Sequence, residues 1–192
     1  RYTKKAVDYL FCKENCNLII IACNTASARA LRKIQQEYLP KKFPERRVLG
    51  VLIPAAEIAA EYKRIGILAT KGTVASKTFL IEIKKLNKKA KVFQCSAPTL
   101  VPLIEMRDMK KAEKELRKYL KPLIDKKLDA LVLGCTHYPI IKKEIKKIMP
   151  RGTKIIAQDK IVPKKVKNYL KRHPEIEKKL SKNKKFKAVF TG

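Results

Sequence analysis

Continuous apolar runs alternate with stretches of helical periodicity along the whole chain. Leu18-Ile19-Ile20-Ile21-Ala22 follows Asn17 without a polar interruption and predicts a strand over 17–22 with both faces buried. Val48 to Ile53, Arg64 to Leu68, Lys91 to Gln94, Leu128 to Gly134 and Thr153 to Ala157 read as further strands, and Phe186 to Phe190 as a last one. Between them lie helical patterns. Tyr2 to Lys13 carries an apolar stripe at Ala6, Val7, Leu10 and Phe11. Thr25 to Leu39 is closed by Pro40, and a short helix runs from Pro54 through Tyr62. Val74 to Leu86 has Thr73 as its N-cap, after a loop over 70–73. A short helix falls within 97–105, and Met109 to Lys127 is bent or broken at Pro122. Tyr138 to Met149 has Pro139 in its first turn, Ile161 to Leu170 follows, and 173–185 is a polar, lysine-rich excursion. Strands alternating with helices predict an α/β protein with parallel sheets.

Two of these strands end alike. Ala22-Cys23-Asn24-Thr25-Ala26-Ser27 and Gly134-Cys135-Thr136-His137-Tyr138-Pro139 both pass from a buried strand through a cysteine into a helix. Ligands of open α/β sheets bind at such strand ends. A thiol near free helix N–H groups has its pKa lowered from about 8.5 toward neutrality and becomes a competent base. Asn24, Thr25 and Thr136 add amide and hydroxyl donors, so the pair of turns suits a carboxylate ligand. His137 has a catalytic reading, in which its imidazolium stabilises the Cys135 thiolate or polarises a carbonyl, and a structural one, in which it caps the start of its helix. One thiol from each half of a molecule can handle a proton on the two faces of one carbon.

Composition narrows the classes. The chain has 192 residues, of which 45% are hydrophobic, enough for a packed core. No apolar run approaches the roughly 20 residues of a membrane helix, and the start shows no signal-peptide pattern, which predicts a cytoplasmic protein. The formal charge of +30, from 47 Lys+Arg against 17 Asp+Glu, favours either an anionic partner such as nucleic acid or lysine-decorated solvent faces. Lysine outnumbers arginine, aromatics total 7%, and no nucleic-acid motif occurs, so the solvent-face reading is preferred and nucleic acid is not the expected partner. Five cysteines, an odd number, read as free thiols in a reducing compartment. Cys12 and Cys16 share a helical spacing but lack a second ligand pair, so no metal is expected, and Cys95 reads as a packed small hydrophobe.

The two cysteine segments resemble the signature motifs of the glutamate racemases, within the cofactor-independent aspartate/glutamate racemase superfamily. The resemblance extends to Leu68-Ala69-Thr70-Lys71-Gly72-Thr73-Val74, to Cys95 with Val101-Pro102-Leu103-Ile104-Glu105, and to Val189-Phe190-Thr191-Gly192. Ser27 and His137 favour the glutamate branch, because aspartate racemases carry His and Glu at the matching places. The resemblance implies two pseudo-symmetric parallel-sheet domains facing each other across an active-site cleft, the first from 1–49 and 158–192 and the second from 50–157. It implies a two-base 1,1-proton transfer, with Cys23 acting on D-glutamate and Cys135 on L-glutamate. Asn24, Thr25, Thr136 and His137 would bind substrate, helped by Thr70 and Thr73, and Glu105 would pair with His137. No cofactor is expected. The product would supply D-glutamate for peptidoglycan, and the chain would act in the cytoplasm, with a homodimer as its possible assembly. The competing readings are an aspartate or hydantoin racemase of the same superfamily and an inactive fragment acting as a binding module. Glutamate racemases begin with a strand ending in Asp-Ser-Gly and carry a Pro-Tyr-Gly segment, and neither occurs here. The expectation is therefore a first domain shortened by about fifty residues, more than one strand-helix-strand unit, with greatly reduced or absent activity.

Overall fold

The computed structural model describes residues 2–183 and 185–190, so Thr191 and Gly192 of the C-terminal resemblance lie outside the described residues. Two parallel sheets organise the described chain. The first comes from α1 (Tyr2–Cys12), β1 (Leu18–Ile21), α2 (Asn24–Lys33), a π-helix (Ile34–Tyr38), α3 (Leu39–Lys42) and β2 (Arg47–Gly50). After α4 (Leu52–Ala59) the second begins with β3 (Arg64–Ala69), α5 (Lys71–Ala75), α6 (Thr78–Leu86) and β4 (Lys91–Ser96). It continues with α7 (Leu100–Glu105), α8 (Met109–Ile124), β5 (Ala130–Gly134), a 3-10 turn (Tyr138–Ile141), α9 (Lys142–Ile148) and β6 (Lys154–Ile156). The helices α10 (Gln158–Arg172) and α11 (Pro174–Glu177) complete the chain.

In the four-stranded sheet the order is β4-β3-β5-β6. Alternation along each strand sorts its side chains between two cores. Ile65, Ile67, Ala130 and Val132 face α4 and α6, while Leu68, Leu131, Leu133 and Cys135 join the core under α7, α8 and α9. β5 is buried at every position, as a central parallel strand with both faces covered should be. Helix α8 fits its face by burying Ala112, Leu116, Leu120 and Leu123 at helical spacing. Pro122 neither breaks nor ends it. Its ring falls in the last turn, where the carbonyl it deprives, on exposed Lys118, can turn to water.

The first sheet holds two strands among the described residues, with Ile21 opposite Gly50. Here several sequence expectations are corrected. β1 is not buried on both faces: Ile19 and Ile21 enter the core with Val7, Phe11, Leu31 and Val48, but Ile20 is 42% exposed. A two-stranded sheet has too few neighbours to cover both sides. Pro40 does not close the second helix, which widens into the π-turn and resumes as α3 with Pro40 near its start. The wide turn relieves the clash that a proline ring makes with the fourth carbonyl before it. Thr70, not Thr73, is the N-cap after β3, and Lys77 at φ 55 separates α5 from α6. The segment Phe186 to Phe190 forms no strand, and both phenylalanines are about nine-tenths exposed, since no open strand edge pairs with it.

A bidentate ion pair links α2 of the first sheet to α6 of the second. The Arg32 guanidinium of α2 donates to both Glu82 oxygens of α6 at 3.3 and 2.9 Å, and Lys85 Nζ lies 3.0 Å from the same carboxylate. Burial alone would raise the Glu82 pKa, but hydrogen bonds and charge from Arg32 and Lys85 outweigh it and hold the carboxyl below its ordinary value of 4.5. A carboxyl whose folded pKa is depressed stabilises the fold above its unfolded pKa and loses that contribution as pH falls through the folded value. Both cations are half exposed, so the expected size is about 1 kcal/mol. Glu82→Gln should therefore lower Tm at neutral pH, and the gap from the parent chain should close as pH falls well below 4.5. A gap of the same size at every pH would remove the electrostatic explanation.

Candidate active site

β3 and β5 are neighbours in space, and the chain leaves β3 toward β4 on one side and β5 toward β6 on the other. That makes their shared C-terminal edge the switch point where α/β sheets hold ligands. Ala69 pairs with Gly134 in the register, so the next residues, Thr70 and Cys135, emerge side by side. Gly134 has no room for a side chain: a Cβ there would lie 2.9 Å from Ala69 Cβ and 3.2 Å from the Leu68 carbonyl oxygen.

Cys135 is 6% exposed. Its Sγ lies 3.7 Å from His137 Nδ1, and His137 Nε2 lies 3.0 Å from Glu105 Oε1. Carboxylate, imidazole and thiol are thus strung in line, two ends of one ring occupied. The turn is anchored from below by fully buried Tyr138, whose hydroxyl donates to the Ala97 carbonyl at 3.2 Å. Thr136 points to solvent. The expected lowering of the Cys135 pKa does not occur. Burial pushes the thiol up, backbone N–H groups of His137 and Tyr138 restrain the rise, and the charges of Cys23 and Glu105 add to it. The turn after Cys135 is a single 3-10 turn, whose weak dipole does not overcome desolvation.

Cys23 is exposed and extended at the N-cap of α2, with no side-chain capping bond. Ser27 holds this turn, its hydroxyl donating to the Ile21 carbonyl at 2.9 Å and its N–H to the Cys23 carbonyl at 2.9 Å. The next residue differs from expectation. Asn24 is 2% exposed, and its amide is paired inward with Gln158 through two bonds of 2.7 Å. Gln158 carried no motif. Its only signal was its place immediately beyond a strand end on the ligand-bearing edge.

Three predicted hydroxyls do meet. Thr25 Oγ1 lies 2.8 Å from Thr70 Oγ1 and 3.0 Å from Thr73 Oγ1, and Thr70 and Thr73 are 3.1 Å apart. Thr25 follows β1 and the other two follow β3, so the triangle joins the two sheets. If each hydroxyl donates around the ring, Thr70 spends its second lone pair on the Thr73 N–H that it caps at 3.3 Å, and one lone pair each on Thr25 and Thr73 remains as an acceptor for an ammonium group. Gly72 allows the approach, since a Cβ there would lie 2.8 Å from Thr25 Cγ2. Cys95, at the end of β4, is half-buried and its thiol pKa is raised by burial, as a packing residue's would be.

Among the described residues no three His, Cys, Asp or Glu side chains gather as a metal cage, and no helix is long and apolar enough to cross a membrane. A recess of about 780 Å³ lies between β1, β2, α4 and α10, lined by Ile20, Leu49, Ile53, Val162 and Tyr169 among others, and holds none of the candidate residues.

The profile of the Asp/Glu/Hydantoin racemase family matches residues 3–159. A glutamate racemase of Sulfurihydrogenibium sp. (strain YO3AOP1) is 38% identical over 155 residues, 78% of this chain and 57% of that protein. The chain thus spans little more than half the length of such a relative. Among solved structures, glutamate racemase isoform RacE1 from Bacillus anthracis superposes with a TM-score of 0.81 at 27% identity, over 91% of this chain and 65% of that one. Glutamate racemase from Francisella tularensis subsp. tularensis SCHU S4, in complex with D-glutamate, gives 0.78 at 30% identity, over 94% and 64%.

Proposed function

The chain belongs to the Asp/Glu/Hydantoin racemase family, and from that premise we propose that its site interconverts L- and D-glutamate by proton transfer between two cysteines. One thiolate removes the α-proton, the electron pair is delocalised into the substrate carboxylate, and the opposite thiol delivers its proton to the other face. One thiol and one thiolate exchange roles, so no atom is gained or lost. The α-carbon is weakly acidic, and the stabilisation must come from placed donors around the developing charge. Cys135 takes and returns the proton of L-glutamate, with His137 and Glu105 behind it. Cys23 serves D-glutamate. The threonine triangle receives the ammonium group, and Thr136 stands at the open side of the Cys135 turn. The two halves of the site belong to domains over 1–49 with 158–192 and over 50–157, and the product feeds peptidoglycan synthesis.

The observation carrying this reading is that the turns holding the two cysteines meet: Thr25, two residues after Cys23, lies 2.8 Å from Thr70, which leaves its strand beside Cys135. The kinship of the matched relatives, glutamate racemases by name, supports glutamate over aspartate. The test is washout of the α-proton in deuterated water. Loss of the signal from both glutamate enantiomers, at a greatly reduced but measurable rate and with aspartate and hydantoins untouched, is expected. Washout of aspartate alone, or of nothing, overturns the proposal. A binding module without turnover is favoured by one observation, the open Ile20 face of a two-stranded first sheet. It predicts that D-glutamate leaves Tm unchanged and that no washout occurs.

A further inference from the structure

Gln158 joins three turns at once. One N–H of its amide donates to Asn24 Oδ1 at 2.7 Å and the other to the Val51 carbonyl at 2.8 Å, while its Oε1 accepts from Asn24 Nδ2 at 2.7 Å. A backbone carbonyl can only accept, so Val51 fixes which end of the Gln158 amide is nitrogen. That choice in turn fixes the orientation of the Asn24 amide. Asn24 follows the cysteine after β1, Val51 follows β2, and Gln158 opens α10 just beyond β6. Strand ends of both sheets are thereby locked by one side chain. Gln158 and Asn24 are 5% and 2% exposed, so none of these groups can exchange its partner for bulk water. Removing the Gln158 amide would strand the Val51 carbonyl and both ends of Asn24, and buried amides left so will rotate to seek partners.

We propose that Gln158 is a positioning residue for the Cys23 half of the site, acting through the locked Asn24 amide. This rests on the racemase reading above. Cys135 is held independently, by Tyr138 on Ala97 and by His137 on Glu105, so the effect should be one-sided. Gln158 does not touch substrate. Its contribution is to keep the turn carrying Cys23 at one rotation relative to the second sheet, and displacements of about 1 Å at a reacting group are enough to cost orders of magnitude in rate.

The test uses the full chain with Gln158→Met, which keeps the length and bulk of the side chain and removes its hydrogen bonds. Washout of the α-proton is followed separately from D- and L-glutamate. D-glutamate washout should fall about 10–100-fold, while L-glutamate washout stays within about 2-fold. Gln158→Asn, one methylene shorter, is the second variant should the first not fold, and should show the same asymmetry at smaller size. Equal losses from both enantiomers would show a general structural lesion and overturn the proposal, as would no loss from either. No washout by the parent chain would instead overturn the racemase reading, and this inference with it.

Discussion

Cys135→Ser should lower α-proton washout of L-glutamate by about 10³-fold, the scale of a lost general base. The serine hydroxyl fits the space left by the thiol but is a far weaker acid, so almost none of it is ionised at any usable pH. Washout of D-glutamate, assigned to Cys23, should fall much less. The parent chain adds a second signature. Burial raises the Cys135 pKa above the ordinary cysteine range, and the base is the thiolate, whose fraction grows with pH. L-glutamate washout should therefore keep rising with pH beyond the range where an unperturbed cysteine has levelled off, and Cys135→Ser should abolish that rise. Separate pH profiles for the two enantiomers check both points. If the serine variant loses both washouts equally, the division of labour between the cysteines is wrong.

Gly134→Ala should damage both stability and the site through one added methyl. The new Cβ would lie 2.9 Å from Ala69 Cβ, 3.1 Å from Phe79 Cε2 and 3.2 Å from the Leu68 carbonyl oxygen. Two of these belong to the neighbouring strand at its paired position and cannot swing away. Overpacking of this kind costs about 1–3 kcal/mol. For a chain of this size the expected fall in Tm is roughly 3–10 °C. The strands would part where Thr70 and Cys135 emerge, so washout of L-glutamate should drop in the variant even at temperatures where it stays folded. A thermal melt unchanged to within about 1 °C would contradict the tight contact.

The cysteine turns were legible because a continuous apolar run ending at Cys, then a helix, has few structural meanings. Thr25, Thr70 and Thr73 also meet, and the Glu105–His137 pair implied by the family resemblance is present at 3.0 Å. What was not legible depends on partners far along the chain. The run from Leu18 to Ala22 gives no sign of how many strands stand beside it, so the exposure of Ile20 could not be read from its hydrophobicity. The pattern from Phe186 to Phe190 fits a strand, but a strand needs an edge to join. Pro40 looked like a helix end because local rules have no place for a π-turn five residues wide. Gln158 is a lone polar residue in the sequence, and its meaning appears only when Asn24 and Val51 are brought to it from more than a hundred positions away. The direction of the Cys135 shift escapes the sequence for a related reason. A helix start is visible in sequence, whereas the depth of the core around a thiol is not.

The unequal exposure of the two sulfurs has a chemical corollary. Electrophiles and peroxide arriving from solvent meet Cys23 at the surface, whereas Cys135 is enclosed and held in its less nucleophilic protonated form. Covalent damage to the pair should start on one side, and an inhibitor built around a reactive warhead has a single practical point of attack.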